Sequence, residues 1–282
     1  MKKTFKNLLC SAILLTLPMV SFAKNKAEKD STYRPLYTAI ELNIGSAAWI
    51  EKPLSYFTFD GPSVSLNLEL MRAYKGNSKL VRQHQLRYMF SSGEMAISGN
   101  GNSKTQFGNY TFGLMTHNTV YPKLRLFYGL DANFLAGIVT NSHGGNNPLT
   151  FKSDISVGFT GMAVYDFNIG KYPITARYQM GLPIVSAFTQ LDQGYLTESI
   201  KDGWRGGSWE SRFNMRNRLL FDIHFTSWAL RLGYNNDILT YYATPNHFQY
   251  VSHNLVIGFA GELMLWSKTN ENKNKKTALY TY

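Results

Sequence analysis

Apolar and polar residues alternate with a period of two along most of this chain, and that alternation limits the backbone conformations it can use. From Leu124 to Ile138 the even positions Leu124, Leu126, Tyr128, Leu130, Ala132, Phe134, Ala136 and Ile138 are all apolar. The odd positions include Arg125, Gly129, Asp131, Asn133 and Gly137. A helix would scatter these residues around its circumference, whereas a strand sorts them onto two faces. The same sorting appears in residues 40–45, 63–70, 85–90, 109–114, 154–167, 174–182, 213–225, 228–235 and 254–265. The chain therefore reads as ten strands.

The links between strands alternate in length. Residues 73–79, 117–123, 168–171 and the pair Thr226-Ser227 are short, while 49–61, 91–105, 140–151, 184–210 and 235–250 are longer. Long links then gather at one end of the sheet and short ones at the other. The expected fold is all-β: an antiparallel transmembrane β-barrel of about ten strands, with short periplasmic turns and longer extracellular loops. Residues 238–242 and 248–251 are β-forming, so strand is expected to reach into the last long link.

Composition decides which face meets which medium. Aromatic residues make up 15% of the chain and charged residues only 17%, which excludes a disordered, strongly solvated polymer. A mean hydropathy of −0.23 excludes a bundle of transmembrane helices. A soluble β-domain would coat its polar face with Lys, but here Lys sits in links and tails, and the polar face is Gly, Ser and Asn. Small polar residues suit a crowded lumen and leave the apolar face for lipid. Aromatics near strand ends (Tyr37, Trp49, Phe90, Tyr165, Phe167, Tyr172, Phe225, Trp228 and Trp266) mark an interfacial girdle.

The N-terminus reads as a targeting segment. Lys2, Lys3 and Lys6 precede an apolar run from Leu8 to Val20, and Ser21-Phe22-Ala23 places small residues for cleavage before Lys24. Residues 1–23 are thus a signal peptide and 24–36 a flexible segment. Residues 37–266 form the barrel, and 267–282 a polar tail. Loss of the leader removes three of the 29 basic residues, leaving 26 against 18 acidic ones, a charge of +8. It also removes Cys10, the only cysteine, and with it disulfide and thiolate chemistry.

Over residues 37–266 this pattern resembles Gram-negative outer-membrane β-barrel proteins, and its flavour is similar to uncharacterised Bacteroidetes outer-membrane families. Leu263-Met264-Leu265-Trp266 is similar to the aromatic-ended final strand that such proteins present to their assembly machinery. The resemblance implies residence in the cell outer membrane. It also implies outer-membrane lipid and the barrel assembly machinery as partners, with no nucleic acid and no cofactor.

Parity sends a set of charged residues inward: Glu41, Glu69, Arg87, Arg125, Asp131, Asp154, Asp166, Arg177, Arg216, Arg218, Asp222, Arg231 and Glu262. These are six basic and seven acidic groups, near enough to balance. Barrels of about eight strands are filled by side chains and open channels need about 16, so ten strands predict an interior plugged by ion pairs. The alternative is an Arg-lined constriction that selects anions.

Catalytic candidates are sparse. Asp222-Ile-His224 resembles the Asp-x-His of the omptin proteases, but it lies at the short-link end and has no Asp-x-Asp partner. Ser142-His143 echoes outer-membrane lipid hydrolases, where one residue separates the pair. Nucleophilic activation needs an orienting group that the sequence does not place here. Tyr195, Trp204 and Trp209 in the fourth long link suit stacking on a partner or closure over the mouth. His117, His247 and His253 have no metal-ligand spacing. The reading that results is a non-enzymatic barrel serving structure, surface binding or limited small-solute passage. Its rival is an outer-membrane hydrolase acting on lipid or peptide.

Overall fold

The structure, a computed structural model, describes residues 36–263 apart from 53, 75–76, 97–100, 143–148, 190–203, 226–227 and 244–245. The leader, the 24–35 segment, the tail, Trp266 and the Thr226-Ser227 link lie outside the described residues. So do His143 and Tyr195.

Eleven strands follow one another: β1 (Leu36–Glu51), β2 (Thr58–Tyr74), β3 (Asn77–Met95), β4 (Asn102–Tyr121), β5 (Leu124–Asn141), β6 (Leu149–Ile169), β7 (Tyr172–Thr189), β8 (Trp204–Ser208), β9 (Arg212–His224), β10 (Trp228–Ala243) and β11 (Asn246–Leu263). Each pairs antiparallel with its neighbour, and β1 pairs with β11 from Leu36↔Leu263 to Glu51↔Phe248, which closes the sheet. β8 and β9 share one partner. β7 pairs with β9 from Ile174↔Ile223 to Gly181↔Arg216, and with β8 from Val185↔Ser208 to Thr189↔Trp204. They therefore act as one interrupted strand, and the barrel has ten staves.

The strands outrun the sequence reading at the long-loop end. β10 reaches Ala243 and β11 begins at Asn246, so most of the 235–250 link is ladder. The reason is physical: the period-two code for a membrane strand stops where the outer face turns polar, but backbone pairing does not. In β10 and β11 the outward row of Tyr234 and Leu255 is followed by Asn236 and His253, and the ladder simply continues. At the opposite end turns are tight. Gly170 adopts φ +59°, a conformation glycine reaches without a Cβ penalty, between β6 and β7.

The two faces separate as the alternation demands. Leu130, Ile155, Phe159, Leu255, Ile257 and Phe259 are exposed on the outer wall. Around the short-turn rim Tyr172 meets Phe225, Phe225 stacks on Trp228 at 4.4 Å, and Trp228 meets Phe259 at 5.6 Å. Large apolar side chains exposed outside a largely polar interior are what a lipid solvent requires.

The lumen is filled in three layers. At the short-turn end Tyr37, Met71, Val81, Met115, Phe127 and Met162 pack together. At the long-loop end Trp49, Phe59, Phe107, Phe188, Phe248 and Tyr250 form an aromatic layer, and Leu54 of the first loop packs against it. Between these two seals lies a layer of charged and amide side chains. The girdle assignment of Tyr37 and Trp49 is thus corrected. Both are buried inside the barrel, because they share the odd parity of Glu41 and Asn43.

Candidate functional site

The middle layer is built from strands far apart in sequence. Arg231 on β10 is fully buried and touches three carboxylates. Its Nε and Nη2 donate to Asp222 Oδ1 and Oδ2 at 2.7 Å each, and its Nη1 donates to Glu41 Oε1 at 2.6 Å and Glu69 Oε2 at 2.8 Å. The planar fork makes this possible, since one guanidinium presents donors in three directions. The Tyr37 hydroxyl donates to Asp222 Oδ2 at 2.7 Å and accepts from Arg231 Nη2.

Further cations complete the set. Arg218 Nη2 donates to both Glu41 oxygens at 2.5 and 2.6 Å, and Arg177 pairs with Glu69. Asn67 donates to Glu41 at 2.8 Å, and Gln83 donates to Glu69. Higher up, Arg87 Nη1 donates to Asp237 Oδ1 and Oδ2 at 2.7 and 2.6 Å. Buried carboxylates need this many donors, because leaving one unpaired in a low dielectric costs several kcal/mol.

Arg216 is held differently. Its Nη1 donates to Gln85 Oε1 at 2.6 Å and its Nη2 to Asn109 Oδ1 at 2.7 Å, both neutral oxygens. Its nearest carboxylate oxygen, Asp237 Oδ1, is 3.7 Å from Nε. Asp131 shares the cavity with Arg216 and makes no ion pair among the described residues. That cavity of about 40 Å³ also includes Gln83, Gln179, Ser156 and Thr160.

The structure thus brings Glu41, Glu69, Arg177, Arg218, Asp222 and Arg231 into one cluster, with Arg87 and Arg216 above it. Arg125 stands apart at the short-turn rim, where its Nη2 donates to Asp166 at 2.6 Å. Asp154 pairs with Arg212 near the aromatic layer. The side chain of Glu262 lies outside the described residues. Parity in the assigned strands missed Glu51 and Asp237, which fall in stretches read as links, and Lys152 and Arg212, which lie just ahead of the strands as read. Lys152 Nζ donates to Glu51 Oε1 at 2.9 Å, fully buried beside the aromatic layer. Continuing the odd parity of β1, or the even parity of β6, would have found this pair.

The catalytic candidates are occupied otherwise. The exposed Ser142 hydroxyl donates to the Asn102 carbonyl at 3.0 Å and accepts from its N–H at 3.1 Å. His224 Nε2 bonds Thr175 Oγ1 at 2.8 Å, and Asp222 is bonded by Arg231 and Tyr37. Trp204 opens β8 and Trp209 follows it, both exposed. His253 bonds Tyr234 on the outer wall, and His117 Nδ1 lies 3.2 Å from the Lys79 carbonyl oxygen at the short-turn end. Among the described residues no cluster of His, Cys, Asp and Glu has the arrangement of a metal site.

Comparison with known proteins gives a family without a function. The family model described as a protein of unknown function (DUF3316) matches residues 8–270. No curated protein matches the chain. Among solved structures the barrel is similar to the outer membrane protease OmpT from Escherichia coli, at 6% identity and a TM-score of 0.46 over 85% of this chain and 99% of that one. It is also similar to the transport unit of the autotransporter AIDA-I from Escherichia coli, at 8% identity and a TM-score of 0.43, covering 84% and 93%. A third is the translocator domain of the autotransporter NalP from Neisseria meningitidis, at 10% identity and a TM-score of 0.39, covering 91% and 98%.

Proposed function

The chain belongs to the DUF3316 family of proteins of unknown function, and from its interior we propose that it is an outer-membrane barrel that neither conducts nor catalyses. On this reading the leader exports the chain, the assembly machinery inserts it, and outer-membrane lipid surrounds the apolar wall. The likeness to Bacteroidetes families belongs to the same reading. The barrel then serves as a rigid mount for its extracellular loops, either as a structural element or as a surface-binding one.

One observation carries this reading. Arg231 crosses the bore between three carboxylates, and a hydrophobic cluster packs in the lumen on each side of it. An ion moving along the axis would have to break charge-assisted bonds and pass both hydrophobic clusters. Apart from Asp131, the carboxylates of the middle layer are already committed to guanidinium groups, which favours architecture over hydrolysis.

The test is electrical. Purified protein inserted into a planar bilayer is expected to give no steady conductance and no hydrolysis of the lipid. A steady anion-selective current, lost in the double variant Arg216→Ala with Arg218→Ala, would establish the constriction instead.

A further inference from the structure

The barrel wall is interrupted between β7 and β9. Pairing stops at Gly181↔Arg216 and resumes, with β8, at Val185↔Ser208. Residues 182–184 of β7 therefore stand opposite 212–215 of β9 with no ladder between them, while 209–211 fold into a turn in which the Ser211 N–H donates to the Ser208 carbonyl at 3.1 Å. The other sides of both strands stay attached. β9 pairs with β10 as far as Arg212↔Tyr241, and β7 pairs with β6 through a bulge in which Gly158 faces Pro183 and Ile184 is the extra residue. Pro183 has no N–H to offer a neighbour, so the break is written into the sequence.

The break sits in the apolar belt. Leu182 lies beside Phe159 of β6, and Phe159, Val157, Ile184 and Val185 are all exposed on the outer wall. Backbone left unpaired at this depth is tolerated where it lines a cavity. Such a cavity is present. The space that holds Arg216, Asp131 and Asn133 in the lumen extends to Leu182, Pro183 and Asn214 in the wall.

The cavity carries unused hydrogen-bonding capacity. Asn133 is 6% exposed and its Nδ2, beside the Asp154 carboxylate, makes no hydrogen bond of good geometry; Arg218 is 3% exposed and its Nη1 has no partner; Arg216 Nε has none either. The Arg216 side chain is 15% accessible, against 0–6% for Arg87, Arg177, Arg218 and Arg231. Opposite these donors stands the unpaired carboxylate of Asp131, near enough to Gly181 that a Cβ there would lie 3.3 Å from it. The middle layer balances: Arg87, Arg177, Arg216, Arg218 and Arg231 against Glu41, Glu69, Asp131, Asp222 and Asp237. A charged guest would upset that balance, and about 40 Å³ holds only about three waters' worth of head group.

We propose that the break between β7 and β9 is a side entrance from the bilayer to a binding pocket. Its ligand is a single alkyl chain ending in a small uncharged head that both accepts and donates hydrogen bonds, such as a primary amide. The chain leaves through the break past Leu182 and Pro183. The head accepts from Asn133 Nδ2 and Arg216 Nε and donates to Asp131. The proposal rests on the membrane placement given above, so its test must read that placement separately.

The full chain is folded into phospholipid vesicles and irradiated with decanamide carrying a diazirine on its alkyl chain. Decane carrying the same diazirine serves as the headless control, and labelled sites are mapped by mass spectrometry. The amide probe is expected to label residues 182–184 and 213–215 preferentially and to be competed by unlabelled decanamide, but not by decyl sulfate or decyltrimethylammonium. Asn133→Leu is expected to cut that labelling about tenfold, the value of one hydrogen bond. Should Asn133→Leu fail to fold, Thr160→Leu fills the same cavity and is expected to act likewise. Headless label on Phe159 and Ile257 reports membrane placement on its own. Amide label spread evenly around the belt, or unchanged in the variant that folds, would overturn the side entrance while leaving the barrel in the membrane.

Discussion

Replacing Arg231 with Met removes the guanidinium that ties three strands together through their carboxylates. The consequences differ by partner. Glu41 keeps Arg218 and Glu69 keeps Arg177, but Asp222 loses both of its guanidinium hydrogen bonds and keeps that of the Tyr37 hydroxyl. Breaking a buried pair by deleting one partner costs about 3–5 kcal/mol, and most of that cost comes from the charge left behind. Asp222 is therefore the residue to change next. Arg231→Met with Asp222→Asn removes the orphaned charge and leaves a group that still accepts from Tyr37, so the double variant should recover roughly 1–3 kcal/mol over additivity. The assay is urea unfolding of protein folded into vesicles, followed by tryptophan emission and by the heat-dependent shift in gel mobility. Single and double variants whose costs add to within about 0.5 kcal/mol would refute the network as drawn.

Other perturbations probe the remaining layers. Leu130→Arg on the outer wall should, with the barrel in a bilayer, cost roughly 2–4 kcal/mol of folding free energy near the midplane, whereas Tyr56→Arg in the first loop should cost almost nothing; folding yield in vesicles separates them. Trp49→Ala removes the stack on Phe59 and the 2.9 Å bond from Nε1 to Ser103, and should destabilise by about 3–5 kcal/mol in urea titration. Burial pushes the Glu51 carboxyl, at the long-loop rim, above its ordinary 4.5 despite the adjacent Lys152. The folded barrel then holds that proton more tightly than the unfolded chain does. The stability it confers is full below 4.5 and falls as pH rises through the raised value, a slope that Glu51→Gln should abolish in unfolding measured across that range.

The alternation was enough to give strand identity, count and facing, because a closed barrel in lipid imposes one rule on every strand: apolar out, polar in. Strand ends were not legible by that rule, since above the belt both faces meet polar surroundings or the aromatic layer. Trp49 shows the cost. Its position near a strand end suggested an interface, while its parity with Glu41 pointed inward, and parity decided. Partner choice within the lumen was hidden for a different reason. Arg218 meets Glu41 across 177 residues of sequence, through a bore whose width no local pattern encodes. The break between β7 and β9 was hidden too, although Pro183 and the Gly206-Gly207 pair stood in the sequence. A proline in a strand signals a local fault but not what lies behind it.

The three layers and the break bear on a single question: by which route anything reaches the middle of this barrel. Along the axis, an entering group meets the aromatic layer under Leu54 at one end and the Tyr37–Met115 layer at the other. Displacing even one ion pair between them costs as much as the Arg231 substitution, about 3–5 kcal/mol. Across the wall, residues 182–184 have already given up pairing on the β9 side, and the cavity behind them reaches the least tightly held guanidinium in the layer, Arg216. Passage there breaks no strand ladder and separates no close ion pair. On the proposed reading a water-borne solute meets both clusters and the ion pairs along the axis, whereas a lipid-borne one approaches from the side. A double substitution that loosens the seals, Trp49→Ala with Met115→Ala, should therefore weaken the fold yet leave amide labelling at the break unchanged. A fall in that labelling, with the barrel still inserted, would show that the ligand comes down the axis after all.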